Sequence, residues 1–83
     1  MDQSELKESL RALIADIIEV DPSKVEDNTA LRDLGVDSMQ AIEIISDLER
    51  RYQIRIPEAD FKRVTNLQSV TELLAEKLAA RGA

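Results

Sequence analysis

The chain has 83 residues, 17 acidic and 11 basic side chains, and a net charge of −6, which leaves room for one small core and no second lobe to build a cleft. It contains neither cysteine nor histidine, so disulfides, thiolate metal sites, a protein-borne thiol nucleophile and the commonest general base are excluded. Two aromatics, Tyr52 and Phe61, and an isoelectric point near 4.5 argue against a nucleic-acid partner.

Over residues 6–18 the apolar positions are Leu6, Leu10, Leu13, Ile14, Ile17 and Ile18, a single stripe on an α-helix. Asp2 with Glu5 three residues later forms a capping box, and Asp21-Pro22-Ser23 ends the helix in a turn. Residues 20–37 are long for a connection in so small a domain, but Val25, Leu31 and Leu34 are spaced to pin them on the core. Residues 29–34 fit a helical turn that Gly35 stops in the left-handed region. Asp37-Ser38-Met39-Gln40 opens a second helix, with Asp37 as N-cap, Gln40 completing the box and Ser38 at the first helical position. Its buried stripe is Ala41, Ile44, Ile45, Leu48 and Tyr52. Gln40, Glu43, Asp47, Glu49 and Arg50 are left mostly toward water, Met39 lies away from the stripe as a partly covered apolar residue or a soft partner contact, and the helix ends near Tyr52.

Ile54 and Ile56 alternate with polar residues, but Pro57 interrupts them and no other segment offers a pairing strand. This is an extended connection, followed by one or two helical turns over residues 58–63 anchored by Phe61 and Val64. Thr65 with Gln68 caps a last helix whose stripe is Leu67, Val70, Leu74 and Leu78, with Gly82 beyond its end. The expected fold is all-α: residues 1–83 as a single domain, a small four-helix bundle of three long helices and one short, with a long loop between the first two. An initiating Met and a frayed C-terminus suggest a free-standing protein. No apolar run approaches the ~20 residues of a membrane span, and the first five residues lack the basic and apolar regions of a signal peptide. A cytoplasmic location without membrane insertion is expected.

Charge is distributed unevenly. Residues 1–49 carry a net −9 and residues 50–83 a net +3, with Arg50, Arg51, Arg55, Lys62 and Arg63 close together.

Ser38 has the one specific chemical case. At the first turn of a helix a phosphate on its hydroxyl meets free backbone N–H groups and the positive end of the helix dipole; on spacing alone the same serine simply starts a helix. The string Leu34-Gly35-Val36-Asp37-Ser38-Met39 at the start of the second helix resembles the attachment motif of acyl carrier proteins. The resemblance extends over residues 6–78 and includes the long first loop, the Ile-Arg-Ile-Pro connection at residues 54–57 and the capped last helix.

What the resemblance implies is a carrier and not an enzyme. Ser38 would receive 4′-phosphopantetheine from coenzyme A through a phosphopantetheinyl transferase, which brings the base and the magnesium, so no histidine and no metal site are needed in the chain itself. Acyl intermediates would ride on that arm as thioesters and be presented to acyl-transfer and synthase enzymes of fatty-acid, polyketide or specialised-lipid synthesis. Asp37 would serve as cap and as a recognition residue for the transferase. Met39, Gln40, Glu43, Asp47 and Arg50 would contact partners, the acids docking basic rims, and the carrier is expected to act as a monomer. The arginines from Arg50 onward depart from the acidity of primary fatty-acid carriers and point to a different set of partners. A D-alanyl or other aminoacyl carrier is the nearest variant. The rival from another class is an acidic helical adaptor that binds partners noncovalently with Ser38 a plain cap, and a serine hydrolase is the weakest reading.

Overall fold

The Asp2 carboxylate accepts the Glu5 amide at 2.8 Å and starts α1 (Gln3–Ile18), as the capping box requires. The computed structural model describes residues 2–82. α1 does not run to the turn at Pro22. Glu19 takes a left-handed conformation (φ 59°) and returns its amide to the Ala15 and Asp16 carbonyls, so the helix stops before the proline. Pro22–Lys24 then forms a 3₁₀ turn of its own, capped by the Asp21 side chain on the Ser23 amide. A second 3₁₀ turn, Leu31–Leu34, is stopped by Gly35 at φ 91°, where a residue without Cβ carries the left-handed backbone at no steric cost.

α2 (Ser38–Tyr52) begins at the Asp37 cap and ends through Gln53, also left-handed at φ 53°. The extended connection after it puts Ile56 in the core and leads into the 3₁₀ helix Glu58–Arg63, then α3 (Leu67–Gly82). Three long helices and one short one, with no strand among the described residues, are the expected all-α bundle.

The core forms where the three stripes meet: Leu6, Leu10, Leu13 and Ile14 from α1, Ile44, Ile45 and Leu48 from α2, and Leu67, Val70, Leu73 and Leu74 from α3. Each such side chain contributes about 1.5–3 kcal/mol on leaving water. Tyr52, Ile54, Phe61, Val64 and Leu78 pack partly buried against it.

Three expectations for α3 are corrected. Its cap is Asn66, whose side chain accepts the Ser69 amide at 2.8 Å; the neighbouring Thr65 instead gives its carbonyl to the Leu31 amide at 2.9 Å. Gly82 lies inside the helix. The buried face is wider than the expected stripe and takes in Leu73 and Thr71, because α1 and the Glu58–Arg63 helix both pack against α3. Thr71 survives there by donating its hydroxyl to the Leu67 carbonyl at 2.8 Å, which satisfies the one polar group it buries.

The long first loop is held at both ends. Asp27 accepts Lys7 Nζ and Arg11 Nη2, each at 2.9 Å, and Arg11 also donates to the Val25 carbonyl. From the other side the Asp27 carbonyl takes the Gln68 amide at 3.0 Å. The loop is therefore tied to α1 through side chains and to the start of α3 through its backbone.

Candidate functional site

That tied loop delivers the chain to the start of α2. Gly35 turns it, the Val36 amide bonds back to the Leu31 carbonyl at 3.1 Å, and Asp37 accepts the Gln40 amide at 2.9 Å. Ser38 is thereby fixed as the first residue of α2, with an exposed side chain. Of the first backbone N–H groups of the helix, that of Gln40 is taken by the Asp37 side chain and that of Ala41 by the Asp37 carbonyl. Those of Ser38 and Met39 have no protein partner among the described residues, as at any helix start.

Beside Ser38 lies an open groove of about 450 Å³, walled by Leu31 and Val36 from the loop, Ala41 from α2 and Val64 from the last connection, with Arg32 at its margin. A backbone bond from the Leu31 amide to the Thr65 carbonyl joins two residues that line it. An exposed hydroxyl, free amides, a helix start and a mostly apolar groove together suit a phosphate-linked organic group on Ser38. They do not suit self-activation of the serine. Asp37, the adjacent carboxylate, is engaged as the cap, and the chain has no histidine.

The remaining expected site residues sit on α2 in three different states. Met39 is 81% exposed, far more than a partly covered residue, and Glu43 is exposed beside it. Gln40 is half-buried, and only the Asp37 half of the capping box is present among the described residues. Asp47 and Arg50 are bonded to each other, so neither is wholly available as a free charge. Sequence reasoning missed Ile42, which is 53% exposed. It falls off the stripe of Ala41, Ile44, Ile45 and Leu48 and three residues from Met39, so the two share one outward face. An isoleucine outside the apolar stripe was the available signal.

A family model described as phosphopantetheine attachment site matches residues 8–74. The chain is 44% identical over 73 residues to polyketide-8 synthase acyl carrier protein 2 of Streptomyces avermitilis, covering 87% of this chain and 84% of that one. It is 35% identical to the acyl carrier protein of Thermosynechococcus vestitus, covering 96% of this chain and all of that one. Among solved structures, the HMG-ACPI domain from the CurA module of Lyngbya majuscula shares the fold with a TM-score of 0.86 at 21% identity, over 99% of this chain and 83% of that one.

Proposed function

The chain belongs to the phosphopantetheine-attachment family of acyl carrier proteins, and from that premise we propose that Ser38 is the residue that bears its covalent 4′-phosphopantetheine arm. The observation that carries this reading is the exposed Ser38 hydroxyl at the first position of α2, directly after the Asp37 cap and inside the matched residues. Members of this family carry intermediates and leave catalysis to the enzymes they visit. When bound, the arm supplies the thiol on which an acyl group is held as a thioester.

The chain's own residues do four things in this reading. The Asp37 side chain holds the first turn so that the Ser38 oxygen is presented to a phosphopantetheinyl transferase. The free amides of Ser38 and Met39 and the helix dipole favour the phosphodiester that results. The groove between Val36, Ala41 and Val64 gives the pantetheine a mostly apolar resting place. Met39, Ile42 and Glu43 form the surface on which acyl-transfer and synthase enzymes dock. Polyketide synthesis is the setting that the 44% identity to a polyketide carrier favours, over the aminoacyl variant and the noncovalent adaptor. The chain acts as a single, monomeric carrier domain in the cytoplasm.

Intact-mass measurement after incubation with coenzyme A, magnesium and a broad-specificity phosphopantetheinyl transferase tests the assignment. Wild type gains one phosphopantetheine and Ser38→Ala gains none, with the circular-dichroism spectrum of the variant unchanged. A mass gain on well-folded Ser38→Ala would move the arm to another residue.

A further inference from the structure

Seven basic residues follow position 49, and four of them are engaged within the fold. Arg50 pairs with Asp47, Arg63 with Glu76 at 2.5 Å and Lys77 with Asp60 at 2.8 Å. Arg81 donates to the Tyr52 and Gln53 carbonyls and so closes the C-terminal end of α2. Arg51, Arg55 and Lys62 are exposed and have no ion pair among the described residues. The basic stretch seen in the sequence thus reduces to a few free charges.

Arg55 lies in a groove of about 420 Å³ that it shares with Gln53, Ile54, Lys77, Ala80 and Arg81. No carboxylate lines it, and of its three cations Lys77 is paired with Asp60 while Arg55 and Arg81 have no ion pair among the described residues, in a chain where acids outnumber bases 17 to 11. Arg81 also borders a second groove of about 520 Å³, whose apolar wall includes Leu6, Tyr52 and Leu78. A cationic groove and an apolar one therefore meet at one residue, Arg81. The pairing of apolar and cationic surface selects for its complement, an apolar side chain flanked by carboxylates.

We propose that this end of the molecule is a second docking surface, for an acidic amphipathic segment of a partner protein. An apolar side chain of the segment fills the groove at Leu6, Tyr52 and Leu78, and its carboxylates meet Arg55 and Arg81. Ser38 and Tyr52 are the two ends of the 15-residue α2, roughly 21 Å apart at ~1.5 Å per residue. The surface can therefore be occupied while an enzyme works at Ser38. Its use as a tether for a working carrier rests on the carrier reading; the binding itself does not.

The test uses the whole chain, isotopically labelled, and a synthetic peptide with one leucine face flanked by glutamates. Amide signals of Gln53, Ile54, Arg55, Ala80 and Arg81 should shift on titration, while those of Ser38, Met39 and Glu43 stay still. Added salt should weaken binding, and Arg55→Glu should weaken it several-fold. The milder Arg55→Gln gives an intermediate loss and guards against misfolding of the charge-reversed protein. Four results would overturn the proposal: no binding, equal binding of a peptide with lysines in place of the glutamates, shifts centred on Met39 and Ile42, or self-association that occupies the groove without peptide. Binding to anionic phospholipid vesicles but not to the peptide would likewise assign the charges to a membrane and reject a protein partner. Because the readout does not involve the arm, failure here leaves Ser38 loading untouched, and Ser38→Ala should bind the peptide like wild type.

Discussion

The Asp37 carboxylate accepts the Gln40 amide at 2.9 Å, and the same carboxylate is the first negative charge beside the Ser38 hydroxyl. Two substitutions separate the roles. Asp37→Asn retains an oxygen for the cap and removes the charge, so the melting temperature should stay near wild type. Asp37→Ala removes both and should cost about 1 kcal/mol. If the transferase reads the charge, arm loading followed by intact mass slows in both variants; if it reads only the ordered first turn, loading slows in Asp37→Ala alone. The cap was legible because an aspartate, a serine and a glutamine at that spacing satisfy donors that every helix start leaves open. Met39 and Ile42 were less so. Periodicity says which side chains can turn inward, and it does not say that an apolar one left outside is 81% exposed. That follows only once no neighbouring element is found to cover it.

Among the elements, the stripes expected for α1 and α2 reappear as Leu6, Leu10, Leu13 and Ile14 and as Ile44, Ile45 and Leu48, with Ala15 buried beside the first and Ile17 and Ile18 only half-buried. α3 read less well. It is covered on more than one side, so Leu73 and Thr71 are buried outside the expected stripe, and its cap moved by one residue because the Thr65 carbonyl is needed by Leu31. The Asp27 clamp was not legible at all, since it joins residues 16 and 20 apart in sequence through side chains with no local pattern. It carries a pH signature. Hydrogen bonds from Lys7 and then Arg11 hold the Asp27 carboxyl below its ordinary value. The clamp's contribution is therefore complete above the unfolded aspartate value of about 3.9, and it is lost as the pH falls through the lower folded value. Thermal melts of wild type and Asp27→Asn should differ near neutrality and converge in acid. Asp60 and Glu76, also lowered by their cationic partners, titrate in the same direction in both proteins and cancel in the comparison. Amide exchange at Leu31 and Gln68 should be faster in the variant, because these are the backbone bonds that the clamp supports.

Taken whole, the molecule is electrically lopsided, with −9 over residues 1–49 and +3 over residues 50–83. The Ser38 end of α2 lies in the acidic part, and its exposed face combines apolar Met39 and Ile42 with the carboxylate of Glu43. Charge and apolar surface make different kinetic demands on a partner. Long-range attraction raises the encounter rate and is screened by salt over ~10 Å at about 0.1 M, whereas apolar contacts form only after encounter and mainly set how long the complex lasts. Glu43→Lys should therefore lower the association rate with a basic-rimmed transferase or synthase and flatten its dependence on salt. Asp47→Lys should act in the same direction, because it changes the charge by the same amount and also frees Arg50 from its pair. Met39→Ser with Ile42→Ser should instead raise the dissociation rate and leave the salt slope of association unchanged. Stopped-flow binding across a salt series, with each variant matched to wild type in helix content, resolves the two constants. If the serine variants changed the salt slope and Glu43→Lys did not, the division of labour on this face would be wrong, and docking would have to be sought on the loop side of Ser38, where Arg32 borders the groove.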